Sequence, residues 1–465
     1  MVATSLKARK VEAKKESERD TFNYYMPVLG FTGPMGSGCS TISTALAKKL
    51  DFKHYKLSDI IKSDASIDPN DDSYVEKMQN KGNELRKENG NDFLILQVIE
   101  QALSERNIKG IIIDGIKNTG EIPPLKSTFI NFFLFSVHAY KEDREKRLLE
   151  KKVFKSKEDF YKSDERDQYQ DLPNGQQVKE CDGSSDIIIV NNHIPPRDKK
   201  DRESFINMIK DRYVEPILKY SKYSEETINA SPTIDEICMA MAYATSKMSE
   251  CAKRKVGAVI VKENRLSGNG AADGRVQTGS RERHVNMMIP TVVSSGYNEV
   301  PLGSEKCVYH PTSNGCYRDY LQKQHAVKIK HCPNCGEAIE KDKTASGYIP
   351  YEFMCKCGEE IFKEFVPGAK MAPGKLLDMC RALHAEETAI LKLNNNDVEY
   401  GRLVLYTTTQ PCNLCANKIV NAGIQKVVFS EPYMMKEADV VLKNAGIEVV
   451  RFEGIKSNAF FKLYS

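Results

Sequence analysis

Short apolar runs alternate with amphipathic stretches between residues 27 and 192 of the chain. A short apolar run bounded by turn residues is typical of a buried strand, and an amphipathic stretch after it is typical of a helix that covers the sheet. Repeated alternation of this kind predicts an α/β fold with a parallel sheet. The predicted strands of this first sheet are 28–32, 111–114, 132–137 and 186–190.

A second α/β pattern begins near residue 232. It follows a charged, proline-rich connector and a helical stretch at 203–220, which we expect to pack on the first domain. A Cys-rich stretch between residues 303 and 375 interrupts the pattern, and we interpret it as an insertion. The predicted strands are 256–261, 291–294, 402–407, 426–429 and 448–452. The predicted helices are 234–248, 384–393, 412–422 and 435–444.

The pattern divides the 465 residues into a charged tail and two domains, each long enough to bury its own core. We assign residues 1–24 to a flexible tail and residues 25–222 to the first domain. Residues 223–465 form the second predicted domain, which contains the insertion at 303–375.

The charges nearly balance, with 68 basic and 64 acidic residues and a net charge of +4. This balance excludes a strongly basic, nucleic-acid-binding surface over the whole chain. No apolar run reaches about 18 residues, so we expect no membrane partner, and the charged first 20 residues do not resemble a signal peptide. Thirteen cysteines in such a chain indicate thiols and metal sites in the reducing cytoplasm, which is the predicted location.

Two motifs in the last third of the chain carry the strongest chemical signal, HAE at 384–386 and PCNLC at 411–415. Each motif opens a predicted helix, so one imidazole and two thiolates can converge from two helix N-termini. We predict that His384, Cys412 and Cys415 hold a catalytic Zn²⁺ whose fourth position stays open to water. Glu386 is placed to transfer protons. Together the motifs match the pattern of zinc-dependent nucleobase deaminases.

The match extends to four further segments, 249–260, 296–301, 422–424 and 431–433, which resemble the deoxycytidylate (dCMP) deaminase family. The resemblance implies a cytidine-deaminase-like α/β/α domain, deoxycytidine nucleotides as substrates, and a homo-oligomer, a hexamer in that family. It also implies that Asn298 contacts the deoxyribose and that Tyr433 lies near the base or sugar. Core packing is an equally favoured role for Tyr433. Lys253 and Arg254 are candidate phosphate contacts, although a solvated basic pair is favoured.

The insertion contains a CxxC pair followed by a CxC pair, a pattern that resembles a zinc ribbon. Cys332, Cys335, Cys355 and Cys357 would fill all four positions of a structural zinc. Four other cysteines could form a further zinc site, but buried thiols are the favoured interpretation: Cys251, Cys307, Cys316 and Cys380. The arginine-containing stretch 265–290 is expected to be a loop, either disordered or closing over a triphosphate.

The first domain contains a P-loop-like motif, GPMGSGCST at 33–41, between a predicted strand and a predicted helix. It fits G-x-x-x-x-G-K-[ST] except that Cys39 stands where the lysine belongs. The strand ending at Asp114 is a candidate Walker-B strand, and Ser40 could help to hold Mg²⁺. The predicted nucleotide-binding residues are Gly33, Gly36, Ser37, Gly38, Cys39, Ser40, Thr41 and Asp114.

Segments 57–59 and 82–86, with Arg144 and Arg147, resemble phosphate-handling parts of nucleoside monophosphate and dephospho-coenzyme A kinases. The P-loop lysine spans the phosphates during transfer, so its absence favours a nucleotide-binding regulator. An active kinase and a structural remnant are the less favoured alternatives. The sequence therefore predicts an N-terminal P-loop kinase-like parallel sheet and a C-terminal deaminase-like domain with a zinc-ribbon insertion.

This order of domains resembles a bacterial family of anti-phage deaminases that convert dCTP and dCMP to uracil nucleotides. The resemblance implies conditional activation, with a regulatory nucleotide at the P-loop and an inhibitory RNA or another antitoxin as candidate partners. One alternative is a polynucleotide cytosine or adenine deaminase that uses the ribbon for docking, which the near-neutral charge disfavours. The other is a phosphotransferase whose deaminase half senses nucleotides, which the missing lysine disfavours.

Overall fold

The structure is a computed structural model. It describes residues 25–64, 67–68, 71, 73–105, 107–168, 170, 172–192, 199–221, 231–265, 275–276, 283–284, 288–309, 315–319, 334–335, 352–354, 357, 360–362, 380–394, 402–433 and 436–464. The chain forms two compact units. The N-terminal unit consists of Met1–Ala240 and Arg451–Ser465, and the C-terminal unit is Met241–Val450.

Strands are numbered in chain order. They are β1 (Val28–Thr32), β2 (Lys53–Lys56), β3 (Ile111–Asp114), β4 (Phe132–His138), β5 (Ile187–Val190), β6 (Gly257–Arg265), β7 (Arg275–Val276), β8 (Arg283–His284), β9 (Met288–Tyr297), β10 (Glu352–Met354), β11 (Glu360–Phe362), β12 (Arg402–Thr409), β13 (Lys426–Glu431), β14 (Glu448–Arg451) and β15 (Gly454–Ile455).

The α-helices are numbered in the same way. They are α1 (Cys39–Leu50), α2 (Leu57–Asp64), α3 (Tyr74–Asn89), α4 (Phe93–Ser104), α5 (Ile122–Thr128), α6 (Lys141–Glu150), α7 (Lys157–Gln168), α8 (Val178–Gly183), α9 (Lys199–Ile209), α10 (Glu215–Ser221), α11 (Ile234–Ser246), α12 (Ala385–Leu391), α13 (Asn413–Asn421), α14 (Lys436–Asn444) and α15 (Ser457–Leu463). A π-helical turn, Lys210–Val214, joins α9 to α10, and 3₁₀ turns occupy Thr119–Glu121 and Cys307–Tyr309.

The N-terminal unit is built on a six-stranded sheet in the order β15-β5-β4-β1-β3-β2. Its first five strands along the chain pair in parallel, and β15 adds an antiparallel edge. Because β1 is buried on both faces, its alternate residues enter two cores: Val28 packs with α2 to α5, and Leu29 and Phe31 pack with α1, α9, α10 and α15. The predicted parallel α/β sheet is confirmed, and the helical stretch after residue 199 packs on it as expected.

The C-terminal unit contains a five-stranded sheet in the order β14-β13-β12-β6-β9. β12 pairs in parallel with β13 and antiparallel with β6, which in turn pairs antiparallel with β9. Buried apolar residues of α12, α13 and α14 pack against it. In the described parts of the long insertions, β7 pairs with β8 and β10 pairs with β11. The predicted mixed α/β class of this half is also confirmed.

The end of the chain differs from the predicted division into domains. Residues from Arg451 onward, predicted within the second domain, belong to the N-terminal unit. β15 pairs with β5, and both Arg451 and Lys456 are buried. Nη2 of Arg451 donates to Asp182 at 2.7 Å, and Nζ of Lys456 donates to the carbonyl of Gly183 at 2.9 Å. These bonds hold the C-terminal segment in the N-terminal unit, because a buried charge needs a partner.

We expect Arg86→Met to lower the free energy of unfolding of the N-terminal unit by about 3–5 kcal/mol. Nε and Nη2 of Arg86 both donate to Oε1 of Glu121, at 2.9 and 2.7 Å, and neither side chain is more than 2% exposed. The variant leaves that buried carboxylate without its cation. Urea denaturation followed by circular dichroism measures the change. Lys109→Met breaks an exposed ion pair with Asp51 and is the control. Equal shifts in both variants would contradict the prediction.

Candidate active site

Three potential metal ligands meet in the C-terminal unit. His384, Cys412 and Cys415 place one donor atom each within 4.8 Å of one another. Nδ1 of His384 lies 3.3 Å from Sγ of Cys412 and 3.3 Å from Sγ of Cys415. Both cysteines are buried, and the histidine is partly buried. The structure therefore brings together the three residues that the two sequence motifs singled out.

Local structure explains why these side chains converge. His384 caps the N-terminus of α12, and Cys412 caps the N-terminus of α13, both with extended backbone angles. Strand β9 approaches α12 closely at Gly296, where an added Cβ would lie 2.3 Å from the carbonyl oxygen of Ala385. An ion pair of 2.8 Å between Glu387 on α12 and Lys418 on α13 links the two helices. The two helix starts are thus held side by side.

The protonation states of the cluster suit a cation. Hydrogen bonds from the Cys415 thiol and from His384 lower the pKa of Cys412 below the ordinary thiol value. The same contact with Cys412 raises the pKa of Cys415, so the proton that the two thiols share resides on Cys415. The contact with Cys412 also raises the pKa of His384. A thiolate is therefore favoured at Cys412 even before a metal adds its own charge.

The donor set fits zinc. Two thiols and one imidazole are among the ligands that zinc prefers, and ligand atoms of a tetrahedral zinc lie about 3.5–3.8 Å apart. The distances of 3.3 Å between Nδ1 of His384 and the two sulfur atoms are close to that spacing. Three protein ligands are also the number found in catalytic zinc sites, where the fourth position remains available.

A buried carboxylate lies beside the cluster. Glu386 is 4% exposed, and its Oε2 lies 3.7 Å from Sγ of Cys415. Burial raises the pKa of Glu386 above the usual carboxyl value. A carboxyl group with a raised pKa can both accept and donate a proton near neutral pH, which is the property of a general acid–base group. The position agrees with the proton-transfer role predicted from the HAE motif, and that role stays a prediction.

The cluster opens into a cavity of about 350 Å³. Its lining includes His384, Glu386, Cys412 and the predicted substrate contact Tyr433. The basic lining residues are Lys253, Arg254 and Arg318. Nη2 of Arg254 lies 2.8 Å from Oε2 of Glu431, and its guanidinium lies 5.8 Å from the centre of the Tyr433 ring. A small, mostly apolar pocket with a few cationic side chains suits a small anionic ligand that carries an apolar ring.

Asn298 also lines this cavity, but backbone groups engage its amide. Nδ2 donates to the carbonyl of Arg254 at 2.9 Å, and Oδ1 accepts from the amide of Val256 at 2.8 Å. These bonds fix the backbone that carries the basic side chains of the cavity. The predicted contact of Asn298 with the sugar stays a prediction, while its observed contacts orient the segment at 254–256.

Sequence reasoning missed two residues of the cavity, Gln410 and Arg318. Oε1 of Gln410 accepts from the amide of Tyr433 at 3.0 Å, and its Nε2 donates to Asp439 at 2.8 Å. Its position directly before the PCNLC motif was an available signal. Arg318 follows the start of the Cys-rich insertion, and nothing in its local pattern points to the cavity.

The other cysteines are less closely grouped in the described part of the chain. Cys332 and Cys355 of the predicted structural zinc lie outside the described residues, whereas Cys335 and Cys357 are described and exposed. In the sequence, Cys357 lies between β10 and β11, two strands that pair with each other. The four-thiolate site stays a prediction. A cavity of about 120 Å³ is lined by Cys251, Cys307, Cys316 and Cys380, and it adjoins the 350 Å³ cavity, which all of these except Cys307 also line.

A cavity of about 410 Å³ occupies the N-terminal unit at the carboxyl end of β1. Every predicted nucleotide-binding residue of the P-loop-like motif lines it, as does Asp114 at the end of β3. The loop depends on glycine at Gly38, whose φ is 105° and whose added Cβ would lie 2.4 Å from Nδ2 of Asn191. The loop therefore places the N-terminus of α1 at the cavity, as phosphate sites require.

Two of the arginines predicted to handle phosphate, Arg86 and Arg144, form ion pairs within the fold instead. Arg86 forms the buried pair with Glu121, and Arg144 forms a buried pair with Asp164, with Nη2 at 3.1 Å from Oδ2. Both guanidinium groups pair with carboxylates within the fold, and neither arginine lines the cavity. Arg147, the third arginine predicted to handle phosphate, does line the cavity. A sequence motif could not reveal this because the pairing carboxylates lie far along the chain.

Two family models match the chain. Residues 232–431 match the cytidine and deoxycytidylate deaminase zinc-binding region, and residues 32–169 match the AAA domain. The C-terminal half therefore carries a deaminase zinc-binding region, and the N-terminal half carries a P-loop kinase-like domain. The two domain-level resemblances indicated by the motifs are confirmed. None of the helices in the described ranges combines the length and apolar character needed to cross a bilayer.

Individual relatives resemble the C-terminal half. The deoxycytidylate deaminase of Enterobacteria phage T4 is 27% identical over 213 residues, which cover 45% of this chain and 86% of that enzyme. The deoxycytidylate deaminase of Saccharomyces cerevisiae is 28% identical over 222 residues, which cover 48% of this chain but 45% of the yeast enzyme. A crystal structure of dCMP deaminase from the cyanophage S-TIM5, in apo form, is 19% identical and covers 48% of this chain and 99% of that chain, with a TM-score of 0.23.

Proposed function

We propose that this chain is a zinc-dependent hydrolase that deaminates deoxycytidine nucleotides, dCMP and/or dCTP, to deoxyuridine nucleotides. One observation carries the proposal. A three-donor zinc site and a buried carboxylate, Glu386, lie together at a cavity with basic lining residues. The match of residues 232–431 to a cytidine and deoxycytidylate deaminase region supports the same reaction.

His384, Cys412 and Cys415 would hold the zinc ion, which acts as a Lewis acid and lets water serve as a nucleophile near neutral pH. Glu386 would accept one proton from the attacking water and deliver it to N3 of the base, and it would then move the second proton, from the new C4 hydroxyl group, to the departing amino group. The oxygen of water becomes the carbonyl oxygen at C4 of the base, and the C4–N bond breaks to release ammonia. The raised pKa of Glu386 suits both halves of this proton transfer.

Basic side chains of the cavity support a phosphorylated substrate rather than a free nucleoside. Lys253 and Arg254 are half exposed, and each already pairs with one carboxylate, Asp319 and Glu431 respectively. A nucleotide phosphate can recruit such side chains because charge-assisted bonds to phosphate are stronger than neutral hydrogen bonds. Asn298 and Tyr433 are the proposed contacts with the sugar and the base.

Ammonia release from a panel of substrates tests this proposal against its alternatives. The purified chain should release ammonia from dCMP or dCTP, and more slowly from cytidine or deoxycytidine. Preferred action on single-stranded DNA or RNA would favour a polynucleotide deaminase. Phosphate transfer without ammonia would favour a phosphotransferase, and activity toward none of these substrates would reject the proposal.

We further propose that the activity serves anti-phage defence by nucleotide depletion, in a cytoplasmic homo-oligomer. The order of the two domains, which resembles that of bacterial anti-phage deaminases, supports this role. Depletion of deoxycytidine nucleotides would harm the host as well as the phage, so the enzyme needs a restraint. An inhibitory RNA or another antitoxin could supply it, and the P-loop domain is a second candidate.

We propose that the P-loop domain binds a nucleotide and regulates the deaminase, without acting as a kinase. Cys39 cannot place a positive charge between phosphates, because a thiol is either neutral or anionic. Burial, reinforced by the nearby Asp114 carboxylate, raises the pKa of this thiol to about 12 and so favours the neutral form. Arg86 and Arg144 are engaged in buried ion pairs. The loop retains Gly36, Gly38 and Ser40, which support phosphate and Mg²⁺ binding.

Ser40→Glu should abolish any nucleotide-dependent change in the rate of deamination. Ser40 lines the cavity at the start of α1, and a carboxylate there would repel a phosphate. A ligand shifts an equilibrium only by binding two states differently, so regulation must disappear with binding. Ammonia release with and without added ATP measures the effect, and Ser104→Glu, on the exposed end of α4, is the control. A Ser40→Glu protein regulated like its parent would contradict the proposed regulation.

A further inference from the structure

The P-loop-like motif lacks its own cation, and its geometry confirms that Cys39 does not replace one. Sγ of Cys39 donates to the carbonyl of Thr32 at 3.1 Å and lies 3.4 Å from Oγ of Ser37. The thiol therefore stabilises the loop from within. If the cavity binds polyphosphate, another side chain must supply the positive charge that the lysine provides in a P-loop.

Among the described residues, four basic ones line the cavity: Lys117, Arg147, Lys151 and Arg202. Arg147, and Arg144 beside the loop, are poor candidates for that role. Arg147 lines the cavity, but its Nη1 donates to the carbonyl of Gly36 at 3.2 Å and its Nη2 to the carbonyl of Asn191 at 2.7 Å. These bonds use the guanidinium to hold the loop in place. Arg144 is held by Asp164 and by the carbonyl of Met35, at 3.1 Å from Nη1. Both arginines support the loop rather than offer charge to a ligand.

Lys117 is placed differently. It lines the cavity three residues after Asp114, and its side chain is 29% exposed. Its backbone is fixed on both sides, because its amide donates to Oε2 of Glu121 at 2.8 Å and its carbonyl accepts from the amide of Gln177 at 2.7 Å. Its ammonium group can therefore move while its attachment point does not, which limits the entropy lost on binding a ligand.

The partner of Lys117 connects it to the loop. Nζ of Lys117 forms an ion pair with Oδ1 of Asp167, which is 1% exposed. Oδ2 of the same carboxylate accepts from the amide of Met35, inside the P-loop-like motif, at 2.9 Å. One carboxylate thus touches both the loop and the lysine. Lys117 and the residues of the loop line the same cavity, so a phosphate bound there would compete with Asp167 for the ammonium group.

Another polar group of the cavity is unused. Asn191 is 6% exposed and lines the cavity, and its Nδ2 donates to the carbonyl of Ser37 at 2.7 Å. Its Oδ1 has no hydrogen-bond partner in the described part of the chain. A buried acceptor without a partner is costly, which indicates that a donor from outside the fold belongs there. A ribose hydroxyl or a base amino group would satisfy it, and the cavity volume of about 410 Å³ suits a nucleotide.

We infer that Lys117 supplies the charge missing from the loop, so that this cavity binds the polyphosphate of a nucleoside di- or triphosphate. On binding, Lys117 exchanges Asp167 for the phosphate. The inference deepens the proposed regulatory role of the P-loop domain and rests on it for its biological meaning. It does not depend on the deaminase reaction.

Calorimetric titration of the full chain with ATP and with GTP, each with Mg²⁺, tests the inference. The parent protein should bind at least one of them. Lys117→Met should weaken binding at least ~10-fold, the lower range for a hydrogen bond to a charged group. Lys117→Arg should stay within about threefold of the parent because it keeps the charge. Lys146→Met removes an exposed lysine of α6 outside the cavity, and it should bind like the parent.

Variants of Asp167 separate the ligand role of Lys117 from a structural one. Lys117→Met leaves Asp167 buried without its cation, which could disturb the loop. The double variant Lys117→Met with Asp167→Asn removes both charges, and we expect its binding to stay weak. Asp167→Asn alone should tighten binding because Lys117 no longer has a competitor. Recovery of parental affinity in the double variant would overturn the inference, as would parental affinity in Lys117→Met.

The inference about Lys117 and the deaminase proposal can fail independently, because one is tested by nucleotide binding and the other by ammonia release. If neither ATP nor GTP binds the parent protein, the inference fails, whatever the rate of ammonia release. If ATP or GTP binds through Lys117 but no ammonia is released from dCMP or dCTP, the deaminase proposal fails and the inference stands.

Discussion

Glu386→Gln is expected to lower the rate of ammonia release from dCMP by at least ~10²-fold, the usual contribution of a general acid–base group. The amide preserves the size of the side chain but cannot accept the proton of water. The three proposed metal ligands are unchanged, so the zinc content measured by mass spectrometry should equal that of the parent. A loss of activity at constant zinc content would assign the effect to proton transfer.

An exposed glutamate of the same unit provides a control. Glu437 lies on α14, is exposed and does not line the cavity. Glu437→Gln should retain activity within roughly threefold. Near-parental activity in Glu386→Gln, or equal losses in the two variants, would contradict the proton-transfer role of Glu386.

Cys412→Ser is expected to remove one zinc ion per chain and to reduce deamination by ~10³-fold or more. A bound metal contributes several kcal/mol of transition-state stabilisation, and each 1.36 kcal/mol corresponds to tenfold in rate. A serine hydroxyl stays protonated where the Cys412 thiol has a lowered pKa, so it is a poor ligand. Zinc content and ammonia release, measured on the same preparation, give both effects.

Cys181→Ser is the control for a general effect of removing a buried thiol. Cys181 is fully buried in the N-terminal unit, far along the chain from the proposed ligands. This variant should keep the zinc content and the deaminase rate of the parent. If Cys412→Ser retained all its zinc, the proposed ligand set would be incorrect.

Local signals in the sequence were enough to single out the three potential metal ligands that the structure brings together. His384 and Glu386 share one helix start, and Cys412 and Cys415 share another, so each pair is fixed by a few consecutive residues. The strand that precedes the P-loop-like motif was equally clear, because β1 is a continuous apolar run. Features of this kind depend on neighbours along the chain and are readable without an alignment.

Interactions between distant residues were not predictable in the same way. β15 has only two residues, and nothing in its composition indicates that it pairs with β5. Arg144 looked available for phosphate because its carboxylate partner, Asp164, is 20 positions away on another helix. Strand β2, with the sequence KHYK, was missed because its one buried side chain gives no apolar run. In each case the decisive contact is tertiary, so it overrides the local pattern.

The two halves also differ in how completely their motifs are preserved. The C-terminal unit holds all three proposed zinc ligands and the buried Glu386. The N-terminal unit holds the glycines of a P-loop but has Cys39 in place of the lysine. A full set of proposed zinc ligands in one unit and an altered phosphate-binding loop in the other support the proposal of chemistry in one half and ligand binding in the other.

Deamination of dCMP in ¹⁸O-labelled water tests the central proposal most directly. Hydrolytic deamination places one oxygen atom of the solvent at C4 of the base. Mass spectrometry should therefore show dUMP that carries one ¹⁸O atom, formed together with one ammonia per product. If neither dCMP nor dCTP is converted, or if the product lacks solvent oxygen, the proposal that this chain is a hydrolytic deaminase of deoxycytidine nucleotides is contradicted.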